Sequence, residues 1–382
     1  MKIALVHSFY LSSAPSGENN AVTRQAAALA EAGHEVTVVA RRSDDFINQK
    51  LYKYRSAWTV ATGAGPDPTE LLNEFQPDIV HVHNLFPNWS TNWLKRLDFP
   101  VVATVHNFRP VCAAGTLLRE GKFCDLCPTK GSGHAVKHSC YQASRLATIP
   151  LAIASRKGGP SPVLDRADAV VFLSDRTKTL YESFGLNLAE KSFVIPNFVG
   201  RSDFGPQSSN VSETQRWIFV GRLSEEKGIV PLIRHWPNDI PLDIVGNGPE
   251  EIRCEEEAEG KTIVFHGQLD PKEVKVLLQN ARGLVFPSIC SENSPLVYLE
   301  SLSNGLPTLA LEGNSVADDV KLFGTGVAIP SLENLLAGIQ NLEGRHEDYS
   351  LAAIRRFENR YSAPVWLSDI ERVYEQAIQT AN

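Results

Sequence analysis

Short runs of β-branched and aliphatic residues alternate along this chain with longer stretches of helical periodicity, and the whole pattern occurs twice. In the first half the runs are Lys2–His7, Glu35–Ala40, Asp78–His83, Val101–His106 and Ala169–Leu173, with a helical stretch at Asn20–Glu31. In the second half they are Trp217–Gly221, Leu242–Gly246, Ile263–Gly267, Gly283–Pro287 and Thr308–Leu311. Strands separated by helical crossovers pair in parallel, so the pattern predicts an α/β protein with two parallel sheets. The polar run Gly200–Ser212 has no apolar period and is rich in Ser, Asn, Gly and Pro, which marks a linker. The expected organisation is a first domain over residues 1–199 and a second over 200–363. The tail 364–382, amphipathic from Pro364 to Ile378, is expected to pack back on the first domain.

Composition narrows the class without changing this outline. Hydrophobic residues make up 43% and charged residues 21%, and no apolar run approaches the ~20 residues of a membrane span. The opening MKIALVHSFY is too short an apolar run for a signal peptide, so the expected location is cytoplasmic, with the six cysteines reduced. A net charge of −7 disfavours nucleic acid as a partner, yet the charge is uneven. Between Phe99 and Pro160 eight lysines and arginines stand against two acids, a local +6 that leaves −13 for the remainder.

In open parallel sheets ligands bind beyond the carboxyl ends of the strands, so residues that follow each run carry the chemistry. In SENSPLVYLESLSNGLP, residues 291–307, Asn293 or Ser294 can cap a helix, Pro295 suits its first position, and Asn304-Gly305 ends it. Glu292 then sits before the helix and Glu300 two turns inside it. This spacing suits a polyhydroxylated ligand, or else a dipole-favoured acid and a solvated helix face. In FVGRLSEEKG, Arg222 leaves the strand at Gly221 and Lys227 falls in the first turn of the next helix. The two cations can converge on a phosphate pair, or pair on the surface with Glu225 and Glu226. VGNGPEE offers Gly246 and Gly248 for a tight turn and close ligand approach. The first strand is not followed by the G-x-G-x-x-G turn of a nicotinamide dehydrogenase.

GRLSEEKG, VGNGPEE, FHGQLD and PSICSENSPLVYLESLSNGLPTLA together resemble the retaining glycosyltransferases of family 4. KIALVHSFY, AGHEVTVVA, PDIVHVHN and TVHN fall where that family's first-half pattern expects them, although Gly17 stands alone where the family often has two glycines. The resemblance implies a GT-B fold, two Rossmann-like domains facing across a cleft. It implies Arg222 and Lys227 on the diphosphate of a nucleotide-sugar donor, UDP- or GDP-linked, and Glu300 on the ribose hydroxyls. Glu292 with Asn293, Ser294, Pro295 and Leu296 would surround the donor sugar and phosphate. His266, Gly267 and Leu269 would border the base, with Gly17 on the first-domain loop near the donor. His106 matches a histidine that touches the donor sugar, while His81 and His83 are weaker candidates. No catalytic metal is implied, because two fixed cations and a helix amino end neutralise a leaving diphosphate. The implied reaction is retaining transfer of a sugar to a glycan or lipid-linked acceptor in surface-polysaccharide synthesis. A nucleotide-sugar epimerase, a phosphorylase and a non-catalytic donor-binding partner are the alternatives.

Directly after His106 come Cys112, Cys124, Cys127 and Cys140, within a loop over 107–141. Four cysteines with one C-x-x-C fit a structural tetrahedral zinc site, with His134 and His138 as substitutes, or reduced thiols packed in a loop, or another metal centre or disulfides. Cysteine-bearing loops here resemble a subset of the family that acts on surface polysaccharides, where the loop borders the acceptor. SRLATIPLAIASRKGG, flanked by Arg145, Arg156 and Lys157, reads as a core helix or as a surface that meets anionic lipid.

Overall fold

The computed structural model describes residues 1–13, 16–155, 161–200 and 215–381. The chain forms two compact units, one of Met1–Arg119, Phe123–Ile195 and the chain from Leu367 on, the other of Glu120–Lys122 and Pro196–Trp366. The expected linker lies outside the described residues from position 201 on. The passage into the second unit comes at Pro196 rather than Gly200, because Phe198 packs on Trp366 with tilted rings and centroids 4.6 Å apart, and Val199 bridges Ser362.

The strands in chain order are β1 Lys2–Phe9, β2 Glu35–Arg42, β3 Ile79–Val82, β4 Val101–Val105, β5 Leu118–Arg119, β6 Lys122–Phe123, β7 Ala169–Phe172 and β8 Ser192–Val194. They continue with β9 Trp217–Val220, β10 Leu242–Val245, β11 Ile263–Gly267, β12 Leu284–Phe286, β13 Thr308–Leu311 and β14 Gly326–Ile329. In the first unit the order is β2-β1-β3-β4-β7-β8, and every pair is parallel. The second unit has the order β11-β10-β9-β12-β13-β14, also wholly parallel, which is the doubly wound arrangement of dinucleotide-binding domains. All ten sequence-derived runs are strands, with ends that move by at most two residues. Two edge strands, β8 with three residues and β14 with four, were not foreseen. Nor was the hairpin of the two-residue strands β5 and β6 inside the cysteine loop.

Both sheets are covered on two faces, so their central strands are mostly apolar rather than alternating. Ile3, Ala4, Leu5 and Val6 are fully buried, as are Val80, Val82, Val101 and Val102. In the second unit Trp217 fills the place where Gly283 has no side chain, and a Cβ there would lie 2.6 Å from the ring. The C-terminal helix Ala363–Ala381 brings Tyr374 against His81, whose Nδ1 is 2.8 Å from the phenol oxygen and whose Nε2 is 2.7 Å from Thr104 Oγ1. Removing that phenol leaves a buried imidazole nitrogen unpaired. Tyr374→Phe is therefore expected to cost about 1–3 kcal/mol in urea unfolding with an unchanged m-value.

Candidate functional site

In the second sheet β9 and β12 are neighbours, but β9 continues to β10 on one side while β12 continues to β13 on the other. At such a reversal two loops part and leave a crevice at the strand ends. The loop after β9 carries Arg222 and Lys227, and the loop after β12 carries Glu292. Main chain holds the loops together: Ile289 N–H donates to Glu226 O at 3.0 Å, and Ser288 Oγ lies 3.1 Å from the same oxygen. Gly228 has φ +67, and a Cβ on it would sit 2.3 Å from Pro287 O, so only glycine lets these segments meet.

Lys227 and Glu292 form an ion pair through Nζ and Oε1. Their side chains keep 27% and 13% of their surface, and Ser288 Oγ donates to Glu292 Oε1 at 2.7 Å. Burial alone would lower the Lys227 ammonium, but the Glu292 charge and hydrogen bond raise it. Burial likewise pushes Glu292 up, and Lys227, Ser288 and Cys290 hold it below its ordinary value. The two shifts agree that both groups are charged. Arg222 is exposed at the end of β9, and its guanidinium has no hydrogen bond or ion pair among the described residues.

Three expectations about this region change. Lys227 is not in a helix's first turn: it closes the 3-10 turn Glu225–Lys227, and left-handed Gly228 separates it from the helix Ile229–His235. The helix after Glu292 is Leu296–Ser303, with Pro295 as its cap (φ −70, ψ 126) and no side-chain cap. Neither Asn293 nor Ser294 caps it, because Ser294 Oγ accepts from Asn197 N–H at 3.1 Å and Ser294 O accepts from Asn197 Nδ2 at 2.9 Å. Glu300 is the fifth residue of that helix, about one turn in rather than two. Gly305 ends that helix as expected, with φ +65 and Leu306 N–H returning to Ser301 O at 2.9 Å.

The glycines at the other strand ends admit main chain. A Cβ on Gly246 would be 2.0 Å from Gly221 O, and one on Gly248 would be 2.3 Å from Leu223 O. Gly267 turns left-handed at φ +64 with open space beside it, and Leu269 packs on the apolar core. His266 Nε2 lies 3.0 Å from Asp243 Oδ1, which also accepts from Arg216 Nε at 2.7 Å. Sequence reasoning missed Ser288, the Glu226 carbonyl and Ser315, the last donating to Glu292 O at 2.5 Å. Ser288 follows Pro287 at the end of β12, and position at a strand end was the available signal.

The first unit gathers its own polar group beyond β1, β3 and β4. His83 Nδ1 is 3.0 Å from His106 Nε2, and His7 Nε2 is 3.0 Å from Asn19 Oδ1. Gly17 begins the helix Gly17–Glu31, which Ser16 caps by accepting from Asn19 N–H at 3.4 Å. Glu18, in the first turn, accepts from Asn107 Nδ2 at 3.3 Å, while its Oε1 is buried with no hydrogen bond among the described residues. Burial pushes Glu18 up to about 7, against the pull of Arg109 and Asn107. His7, Glu18, Asn19 and Asn107 escaped the sequence reading because single polar residues at strand ends form no motif.

Burial and the neighbouring Cys112, Cys140 and Cys124 push Cys127 up to about 12, and Cys140 is raised by burial with Cys112 and Cys124. The four cysteines thus share one neighbourhood, with free thiols. Among the described residues no group of three or more His, Cys, Asp or Glu is arranged to hold a metal ion.

Two parallel sheets, each with its strand-end polar group, define the class as a GT-B glycosyltransferase fold. Residues 15–202 match the family model described as Glycosyltransferase Family 4, and residues 202–349 match Glycosyl transferases group 1. The chain belongs to the GT-B glycosyltransferases of the family 4 type. It is similar to the O-antigen chain mannosyltransferase C of Escherichia coli, 26% identical over 208 residues, which is 50% of this chain and 56% of that one. The chain thus matches little more than half the length of that relative. Among solved structures it is similar to sucrose-phosphate synthase of Thermosynechococcus elongatus, with TM-score 0.70, 18% identity and 99% of each chain covered. Anabaena HepE in complex with UDP shares the fold at TM-score 0.62 and 15% identity, over 98% of this chain and 100% of that one.

Burial pushes His7 down to about 4 and His81 and His106 down to about 3, so the fold keeps them neutral while the unfolded chain takes up protons below about 6.5. Their contribution to stability is complete above about pH 6.5 and is lost as the pH falls from there to about 3. Urea midpoints are expected to drop over that range, and less steeply in His106→Gln.

Proposed function

We propose that this chain transfers a sugar, with retention of configuration, from a UDP- or GDP-sugar to a glycan or lipid-linked acceptor in surface-polysaccharide synthesis. The observation that carries the reading is the seam between the β9 and β12 loops. It presents Arg222 without a side-chain partner and Lys227 fixed beside Glu292. A sugar–phosphate bond breaks with charge growing on the leaving diphosphate, and two cations fixed in advance stabilise that charge without reorganising. Arg222 supplies a planar fork and Lys227 a point charge. Glu292, held below its ordinary pKa, keeps Lys227 oriented and offers its second oxygen to a sugar hydroxyl. Glu300 serves the ribose. HepE, solved with UDP, supports the donor class, and the O-antigen mannosyltransferase supports the acceptor class.

The test is a thermal-shift panel with UDP- and GDP-sugars followed by nucleotide release in the presence of acceptor glycans. One donor class is expected to raise the melting temperature by mass action. Arg222→Ala and Lys227→Ala, verified as folded, are each expected to weaken that donor by about 10–100-fold, as for loss of a charge-assisted hydrogen bond. A donor that binds through these residues yet is never turned over would favour the non-catalytic binding partner.

The cysteine loop carries a separate proposal, a structural zinc bound as thiolates. Metal binding as thiolates would reverse the raised pKa of Cys127 and Cys140. Elemental analysis is expected to find about one zinc per chain, lost with a chelator together with part of the thermal stability. Four thiols that titrate freely in native, zinc-free protein would remove it.

A further inference from the structure

Two helices of the first unit, Tyr52–Thr62 and Arg145–Ala154, pack side by side and leave apolar residues facing outward. On the first, Tyr54 and Trp58 are spaced i, i+4 and are 75% and 66% exposed, and Leu51, the left-handed residue that precedes the helix, is 61% exposed. On the second, Leu146, Ile149 and Ile153 are spaced i, i+3, i+7, and Leu146 is 80% exposed. The spacing places Tyr54 with Trp58 on one face of the first helix, and Leu146, Ile149 and Ile153 on one face of the second. The opposite faces carry the packing. Thr59, Thr148, Leu151 and Ala152 are buried, Val60 packs on the cluster that holds Leu151, and the Tyr52 hydroxyl donates to Asn88 Oδ1 at 2.8 Å. The exposed residues are therefore not a core turned inside out: each helix has an inner face already satisfied and a second apolar face.

Charge decides what that face meets. Lys50, Lys53, Arg55 and Arg145 border it, all exposed and without an ion pair among the described residues. The sequence has no carboxylate between Phe46 and Pro66, nor between Leu126 and Leu164. The nearest acids before Lys50 are Asp44 and Asp45, and Asp44 accepts from the Ser12 hydroxyl at 2.8 Å. A face with only cations repels a second copy docked on itself through the same surface. Trp and Tyr beside Lys and Arg, over aliphatic side chains, are the composition that settles at a headgroup boundary. No helix among the described residues is long and apolar enough to cross a membrane, so the contact would be peripheral.

We propose that this two-helix face docks the first unit on an anionic lipid surface, with Leu51, Tyr54, Trp58, Leu146, Ile149 and Ile153 entering the headgroup layer and Lys50, Lys53, Arg55 and Arg145 meeting lipid phosphates. The inference rests on the transferase reading only for its purpose, access to a lipid-linked acceptor. Its test needs no turnover.

The full chain is sedimented with vesicles of phosphatidylcholine alone and of phosphatidylcholine with phosphatidylglycerol. Binding is expected only with the anionic lipid and is weakened by salt. Lys50→Glu with Lys53→Glu, and separately Trp58→Ser with Leu146→Ser, are each expected to lower the partition coefficient by about tenfold or more, at unchanged melting temperature. All these side chains are exposed, so the variants fold. Binding indifferent to the anionic lipid, or untouched by both variants, overturns the proposal. So does a dimer in light scattering that the Trp58→Ser, Leu146→Ser variant abolishes. The donor thermal shift, read in the same samples, is expected in every variant; if it is missing while vesicle binding persists, the transferase reading fails and the docking face stands.

Discussion

A parallel strand can reach its neighbour only through a crossover, so all strands of a parallel sheet open onto the same edge, and a crevice forms only where the order reverses. In the second unit that reversal lies between β9 and β12, and the chemistry depends on it. Arg222 and Lys227 come from one loop and Glu292 from the other, 65 residues further along the chain from Lys227. What brings them together is main chain: the Glu226 carbonyl receives the Ile289 amide, and Gly228 gives up a side chain so that Pro287 can approach.

The ion pair set in that seam has a consequence for binding. A lysine waiting in water for a diphosphate would have to give up side-chain entropy and hydration when the ligand arrived. Lys227 has already lost most of both, because Glu292 and the surrounding loops hold it. Its charge is thus preorganised, the condition under which electrostatic stabilisation of a leaving group is effective. The first unit follows a different rule. Its strand-end histidines are buried among one another and kept neutral, while Glu18 is pushed towards neutrality, so the polar group beyond β1, β3 and β4 presents hydrogen-bonding groups rather than net charge.

Much of the fold was legible because a parallel sheet covered on both faces writes its strands as largely apolar runs. Ten such runs were read and ten are strands. The stop at Asn304-Gly305 was equally plain, since left-handed backbone there needs glycine. The helix start was misread by one residue because Pro295 satisfies either the cap or the first turn, and only the engagement of Ser294 by Asn197 decides between them. Gly246 and Gly248 were recognised as positions of close approach, but a sequence cannot say what approaches, and here it is the neighbouring main chain.

By itself the sequence determined the two α/β units, the strand ends that carry Arg222, Lys227, Glu292 and His106, and the family to which those motifs point. These are local properties, written in period, composition and short motifs. Only the tertiary structure decided that Lys227 is held by Glu292, that His81 is tied to Tyr374, and that Trp58 and Leu146 share one exposed face. Each of these joins residues separated by tens or hundreds of positions. Helical period shows that a helix has an apolar stripe, but which stripe is buried depends on what packs against it.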